Sequence, residues 1–284
     1  MDNLIIISDN VVDTATLTVS TTAGSTSKDN MKTNIKSQIW RSTATSATIL
    51  VTFSSRIIQG VATPFCNLTN SATIRVKGWS VNPTLSGISI VGGTMSWDSG
   101  SKTACPWDTP LHTTATTPHV GVTSYAFGGG KTGRCYHENS NNITGITIEL
   151  ADPSNPSGYI EISRLVVGDF WSPNYNTSYG LSVEPVDLST NIRMDSGDLI
   201  SNIGTKHNKL TFDLKYLTDL DRIQMMKLLK SNGINKPLFV SLFPEDSDPY
   251  KERDHQIFGK ISQMSPIQHP IYSTYSSQLS VEEI

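Results

Sequence analysis

The residue patterns that most often support catalysis are incomplete in this sequence. Residues 128–133 read Gly-Gly-Gly-Lys-Thr-Gly, which looks like a phosphate-binding loop, but Tyr125 stands where that motif needs its first glycine. The strand-to-helix context of a nucleotide-binding loop is also missing, so we predict a flexible hairpin turn at this segment. Neither Ser80 nor Ser89, each two residues after a glycine, continues into the Gly-x-Ser-x-Gly pattern of a serine nucleophile.

Cysteine and histidine side chains in the first half of the chain are residue types that bind zinc, which accepts any mixture of the two. The candidates are Cys105, His112, His119, Cys135 and His137. Their spacings match no zinc-binding framework, so we favour the alternative of loop histidines and buried free cysteines. The acidic residues around 195–198 and 245–248 could act as a catalytic acid and base only in a cleft, and the sequence predicts none there. We therefore interpret them as solvated side chains. We therefore predict a protein that is not an enzyme, with no catalytic residue, bound metal or cofactor.

Aromatic residues of the first domain give a more specific signal, because they fall at predicted strand ends or in loops. Aromatic rings stack on the CH faces of sugars, and the loop end of a β-sandwich can supply the polar groups that fix hydroxyls. The candidates for glycan or partner contact are Trp97, Trp107, Tyr125, Tyr136 and His137. Core packing and subunit contact explain the same residues equally well, so these alternatives stay open.

The composition of the 284 residues favours a mainly β protein, with many serines and threonines, 20 glycines, 14 prolines and one convincing helix. The net charge of −3 gives no electrostatic argument for nucleic acid or an acidic membrane surface. No run of about 18 apolar residues occurs, and the first residues lack the features of a signal peptide. Three widely spaced cysteines fit a reducing compartment better than a disulfide framework. We expect the chain to fold where it is made.

The chain divides into two predicted domains. Residues 1–185 contain many short strands bounded by turn residues, which is typical of a β-sandwich or jelly roll. Within them, residues 99–117 are predicted to form a long loop, and residues 119–127 a strand. Charged residues are about twice as dense after residue 189, and residues 169–187 are aromatic, polar and broken by Pro173. We place the second domain at residues 186–284.

The second domain is predicted to contain a long hairpin, a helix, a strand and another hairpin, giving a small β-barrel braced by one helix. Residues 191–199 and 210–217 are the expected strands of the long hairpin, with a turn at 201–208. Thr218 is the expected N-cap of the helix, and Gly233 the residue that ends it. The apolar residues expected to pack this helix against the barrel are Leu220, Ile223 and Leu229.

Several segments resemble structural proteins of tailed-phage tails. Asn-Met-Lys-Thr-Asn at 30–34 leading to Ile-Trp-Arg-Ser at 39–42, residues 64–76, and residues 158–168 followed by Trp-Ser-Pro at 171–173 are similar to a galactose-binding-like jelly roll. The order of elements after residue 186 is similar to the tail-tube fold shared by tube proteins and distal tail (baseplate hub) proteins. The resemblance covers most of residues 30–284, and its motifs are structural.

This resemblance implies a structural virion protein made in the host bacterial cytoplasm and located at the tail tip or baseplate. A homohexameric ring would join the tail tube protein to the baseplate hub and to fibre or side proteins. Phage DNA would pass through the ring without sequence-specific binding, and the protein would not insert into a membrane. The residues expected to line the lumen or the contact between subunits are Arg193, Asp195, Asp198, Lys206, Lys209, Asp213 and Lys215. The alternative function is a carbohydrate-binding module for attachment to the host surface.

Overall fold

A computed structural model describes residues 3–107, 125 and 130–284, and within them the chain is mainly β. In chain order the strands are β1 (Ile5–Ile7), β2 (Thr16–Val19), β3 (Trp40–Arg41), β4 (Ser46–Arg56), β5 (Gly60–Cys66), β6 (Thr73–Val81), β7 (Thr84–Ser86), β8 (Ser89–Val91), β9 (Thr94–Thr103), β10 (Lys131–Tyr136), β11 (Ile143–Ala151), β12 (Glu161–Ile162), β13 (Val166–Gly168), β14 (Ser182–Asp187), β15 (Thr190–Arg193), β16 (Leu199–Asn202), β17 (Lys206–Leu217), β18 (Leu238–Ser241), β19 (Gln256–Ile261), β20 (Gln268–Ile271) and β21 (Thr274–Glu283). The α-helices are α1 (Asp219–Asn232) and α2 (Pro249–Asp254), and short 3-10 turns lie at Val11–Asp13 and Lys28–Lys32. None of the helices among these residues is long and apolar enough to span a membrane.

The first half of the chain forms two antiparallel five-stranded sheets. One has the order β2-β4-β11-β6-β9, and the other has the order β10-β5-β12-β3 with β13 also paired to β5. Along β11, Ile146, Ile148 and Leu150 lie in the shared core, while Thr147 and Glu149 point to the other side of the sheet. Successive strands mostly alternate between the two sheets, as in a jelly roll. The predicted mainly β fold with an N-terminal sandwich is confirmed.

The C-terminal strands form a third sheet, in the order β1-β18-β19-β21-β17-β14, with β20 paired to β21. Its first strand, β1, comes from the N-terminal end of the chain and is joined to the sheet through β18. Ile5 pairs with Ser241, and Ile7 pairs with Phe239. The three isoleucines of β1 are buried, with Ile6 in the core of this sheet and the other two in a cluster shared with the sandwich. The domain boundary between residues 185 and 186 stays a prediction. Strand β1, which belongs to the predicted first domain, is hydrogen-bonded to β18 of the predicted second domain.

Helix α1 begins and ends as predicted but buries a different face. Thr218 Oγ1 accepts a hydrogen bond from Asp221 N at 3.3 Å, and Asp221 Oδ2 accepts one from Thr218 N at 3.2 Å, forming a capping box. The buried apolar residues are Met225, Leu228 and Leu229. The prediction that Leu220 and Ile223 pack against the barrel was therefore wrong. The helix has apolar residues on two sides, and its position against β17 and β21 decides which side is covered.

The long hairpin also differs from its prediction. β14 pairs with β17 from Ser182–Thr211 to Asp187–Lys206, and the ribbon then continues as β15 and β16 beyond the sheet. Its turn lies at residues 194–198, where Met194 and Asp198 are hydrogen-bonded, so the predicted strand 191–199 and turn 201–208 were wrong. Gly197 adopts a φ of 91° there, a conformation that glycine accepts readily. We call residues 188–205 the arm.

Two further predictions concern the segment after residue 98. Strand β9 continues to Thr103, so the first residues of the predicted loop 99–117 belong to a paired strand. Most of that loop, the predicted strand 119–127 except Tyr125, and residues 128–129 of the glycine-rich turn lie outside the described residues, as do His112 and His119.

Candidate functional site

The arm exposes large apolar side chains along both of its strands. Ile192 lies opposite Ile200 in the pairing of β15 with β16, and their exposed fractions are 61% and 52%. The other exposed apolar residues of the arm are Leu188, Met194, Leu199 and Ile203. A two-stranded ribbon is at best marginally stable alone in water, and clustered exposed apolar groups mark contact surfaces. The arm is therefore the strongest candidate for a functional surface.

Polar contacts fix the base of the arm. The carboxylate of Asp187 accepts a hydrogen bond from the backbone N–H of Ser189 at 2.8 Å and lies 3.2 Å from the Nζ of Lys206. The hydrogen bonds from Ser189, followed by the contacts with Lys206, lower the pKa of Asp187 to about 2. Gly204 lies so close to the other strand that a Cβ there would be 2.3 Å from the carbonyl carbon of Leu188. The arm thus leaves the sheet at a defined, closely packed point.

The structure places the predicted lumen residues in two groups. Arg193, Asp195 and Asp198 lie exposed in the outer half of the arm, where Arg193 donates a hydrogen bond to the carbonyl of Gly197 at 2.7 Å. Lys206 lies at the base of the arm, and Lys209, Asp213 and Lys215 lie along β17 on the side opposite the buried Leu210, Phe212 and Leu214. The predicted polar side of the hairpin therefore exists, with charges of both signs. Its role in lining a lumen stays a prediction.

The aromatic residues predicted to contact a glycan or partner also fall into two groups, one buried and one partly accessible. Trp107, Tyr125 and Tyr136 are at most 4% exposed, so they pack the core and offer no face to a ligand in this structure. Trp97 and His137 are partly accessible, and their rings stack with centroids 4.4 Å apart. The sequence could not separate these two groups, because aromatic residues at strand ends fill cores as often as they form binding faces.

The pair formed by Trp97 and His137 is closely fitted to the sandwich. The indole lies over Gly78, where a Cβ would be only 2.2 Å from the Trp97 Nε1. That buried Nε1 has no hydrogen-bond partner in the described part of the chain. Burial, followed by the positive charge of Lys102, lowers the pKa of His137. The indole therefore lies between Gly78 and the imidazole, and the pair is only partly accessible.

The zinc candidates are only partly described. Cys105 and Cys135 are free, buried thiols of the sandwich, and burial raises the pKa of both. His137 is instead stacked on Trp97. Among the residues that the structure describes, no group of three or more potential metal ligands comes together.

A cleft of about 570 Å³ lies between the sandwich and the C-terminal sheet, beside the base of the arm. Its lining residues include Phe65, Lys131, Asp187, His207 and Phe258. Its charged groups are of both signs, and several are already paired, as in the contact between Lys206 and Asp187. The cleft therefore shows no charge preference that would define a ligand, and no residue pattern in the sequence indicated it.

The apolar arm residues were the members of this site that sequence reasoning missed. The charged residues of the hairpin were predicted to form its functional surface, and Ile192 and Ile200 were not among them. The available signal was a pair of short apolar segments on either side of Asp-Ser-Gly at 195–197, a typical turn sequence. This pattern predicts a hairpin but does not tell whether another layer covers it.

Comparisons with known proteins give matches only among solved structures. No family model matches the chain, and no curated protein matches it. A GH29 fucosidase of Ruminococcus gnavus in complex with fucose is 15% identical, covers 57% of this chain and 26% of its own, and has a TM-score of 0.34. Chitosan-binding module 1 of a Paenibacillus chitosanase/glucanase has 12% identity, coverages of 57% and 99%, and a TM-score of 0.36.

A third structure, the family 32 carbohydrate-binding module of C. perfringens NanJ in complex with galactose, has 11% identity, coverages of 58% and 99%, and a TM-score of 0.34. The match thus spans about a quarter of the fucosidase but nearly all of the two binding modules. Such distant overlaps carry no argument about function. The description of the first half as a sandwich rests on its own strand order.

Proposed function

We propose that this protein is a structural subunit that assembles with further copies of itself through the arm. The observation that supports the proposal is the exposure of six large apolar side chains on a ribbon that no other part of the described chain covers. Burial of one such side chain contributes roughly 1.5–3 kcal/mol. Covering the arm by another copy would recover this free energy and would stabilise the ribbon itself.

The rest of the chain provides a rigid base for such an arm. Arg134 of the sandwich and Glu252 of α2 form two hydrogen bonds of 2.9 and 2.8 Å, and both side chains are buried. Around them, Ile5, Tyr136 and Phe258 belong to one apolar cluster between the sandwich and the C-terminal sheet. A subunit whose two halves are joined in this way can transmit force from its arm to its sandwich.

More specifically, we propose that the assembled copies form a ring at the distal end of a phage tail. The support for this setting is the sequence resemblance to phage tail proteins, and none of the solved structures described above is a phage protein. In such a ring the tail tube protein, the baseplate hub and fibre or side proteins are the partners. Lys209, Asp213 and Lys215 on β17 then face the channel for the passing DNA, where charges of both signs give no strong binding.

A second candidate function is carbohydrate binding by the sandwich, and the specific observation in its favour is the accessible pair of Trp97 and His137. A partly accessible imidazole held in place by an indole offers an aromatic surface for the CH face of a sugar ring and a polar ring edge for its hydroxyls. This function is compatible with assembly through the arm, because the two surfaces belong to different parts of the chain. Binding to a glycan array that is lost in Trp97→Ala would support it, and an array without any bound glycan would remove it.

Assembly is tested by measuring the particle mass of the unmodified chain with light scattering and native mass spectrometry. We expect a discrete multiple of the 31.0-kDa chain mass. The phage-tail ring predicts six copies. The double variant Ile192→Ser/Ile200→Ser should run as a monomer, whereas Val81→Ser/Val91→Ser, at exposed positions in the first half of the chain, should assemble normally. An unmodified chain that is monomeric at micromolar concentrations would overturn the proposal.

A further inference from the structure

We infer that the arm of one copy packs on the outer face of helix α1 of the next copy, head to tail. The inference rests on the proposed assembly through the arm and identifies the surface that the arm occupies. We call Leu220, Ile223 and Met226 the outer stripe of α1. A contact of this kind uses two different surfaces of one chain, so each subunit both gives an arm and receives one.

The outer stripe is an exposed apolar row on a well-capped helix. Leu220 is 73% exposed, Ile223 51% and Met226 37%. Residues three apart lie on one side of a helix, and this side is opposite the buried Met225 and Leu229. Helix α1 is therefore apolar on two sides, and in the described part of the chain only the inner side is covered. The capping box shows that the helix is fully formed where its stripe begins.

The arm of the same chain lies at the far end of a long strand from the outer stripe. Strand β17 has 12 residues, and at about 3.3 Å per residue it is roughly 40 Å long. The arm joins its beginning at Lys206, and the helix follows its end at Leu217. Contact between an arm and an outer stripe therefore requires a second copy. Such an interface is heterologous, so it closes into a ring or continues as a filament.

Charge supports the same pairing. Besides Arg193, the outer half of the arm carries Asp195 and Asp198, so its net charge is negative. Lys227 and Lys230 are exposed, and the helical period places them on the same side of α1 as the outer stripe. An arm laid along the stripe would bring its carboxylates towards these ammonium groups. Complementary charges of this type select the register and the partner.

The first test uses two variants that remove opposite halves of the contact. The arm variant is Ile192→Ser/Ile200→Ser, and the helix variant is Leu220→Ser/Ile223→Ser. Each should run alone at the 31.0-kDa monomer mass. An equimolar mixture should form a heterodimer of twice that mass, because one intact arm then meets one intact stripe and growth stops. Absence of the heterodimer in native mass spectrometry overturns the inference.

The same experiment separates the inference from the proposed function. A helix variant that assembles like the unmodified chain overturns only the inference, because the arm then has a different acceptor. An unmodified chain that is monomeric overturns both. Far-ultraviolet circular dichroism and thermal unfolding of each variant verify that it is folded, which we expect because all the replaced side chains are exposed. The variant Val81→Ser/Val91→Ser is the matched control for loss of exposed apolar surface.

The second test is an exchange of charges. Lys227→Glu/Lys230→Glu should raise the concentration needed for half-assembly by about tenfold, as expected for two exposed ion pairs turned into repulsion. Adding Asp195→Lys/Asp198→Lys in the same chain should restore assembly to near the unmodified value. Failure of the second pair of substitutions to restore it overturns the inference, since charges that do not face each other cannot compensate.

Discussion

The sandwich and the arm are both built from antiparallel strands with alternating apolar residues, yet they differ in what lies above them. In the sandwich, β11 pairs on both sides, and a second sheet covers Ile146 and Ile148 completely. In the arm, β15 pairs with β16 alone among the described strands, and Ile192 and Ile200 remain exposed. Strand pairing and burial are therefore separate events. Backbone hydrogen bonds form the ribbon, but only a second layer turns its apolar face into a core.

The largest expected difference between the two regions is in the free energy of unfolding. Trp40 is completely buried in the sandwich core, and its Nε1 donates to the carbonyl of Thr21 at 3.2 Å. Trp40→Ala should lower the free energy of unfolding by about 3–5 kcal/mol through the lost burial and the cavity. Ile192→Ala in the arm should change it by less than about 0.5 kcal/mol in the dissociated chain. Denaturant unfolding at low protein concentration measures both, and equal losses would contradict the distinction.

The joint between the two halves should be nearly as sensitive. Glu252→Gln leaves the guanidinium of Arg134 buried and without its charged partner, which should cost about 3 kcal/mol. The matched control is Asp246→Asn at the more exposed pair with Lys251, which should cost less than about 1 kcal/mol. The shift in melting temperature measures both. A loss no larger than in the control would mean that the joint is not rigid.

A smaller effect is expected where the sandwich shapes its accessible aromatic pair. Gly78→Ala places a methyl group against the indole of Trp97, so we expect a displaced ring and a destabilisation of about 1–3 kcal/mol. Tryptophan fluorescence and the NMR shifts of His137 should report the lost stacking. Ser101→Ala on the neighbouring β9 is the control, and unchanged spectra in the glycine variant would refute the close fit.

The smallest expected effect is the loss of stability at the base of the arm at low pH. The pKa of Asp187 is lowered in the folded chain to about 2 from 3.8, so its contribution to stability is present above pH 3.8 and is lost as the pH falls towards 2. The NMR titration of this carboxyl group should show the low midpoint. In Asp187→Asn, the protection of the arm amides from hydrogen exchange, corrected for the intrinsic exchange rate at each pH, should no longer change in this window. A midpoint near 3.8 would show that the contacts with Ser189 and Lys206 do not persist in solution.

Much of the fold could be predicted from local pattern, whereas the candidate site could not. The alternation of apolar residues from Leu210 to Leu214 and the cap at Thr218 identified strand β17 and the start of α1. The charged side of β17 followed from the same alternation. The apolar residues of the arm escaped notice because their chemistry is that of a core strand, and only exposure sets them apart. Likewise, Trp97 and the buried Trp107 are equivalent in sequence terms.

The amino-acid sequence specifies the local elements, because turn residues, capping side chains and apolar periodicity act over a few neighbouring positions. Which apolar surfaces became core depended on the packing of distant parts of the chain. It joined the N-terminal Ile5–Ile7 to the C-terminal Leu238–Ser241, covered Met225 and Leu229 of α1, and left Leu220 and Ile223 in solvent. The physical reason is that burial depends on what packs against a surface, and that neighbour is contributed by residues far away in the chain.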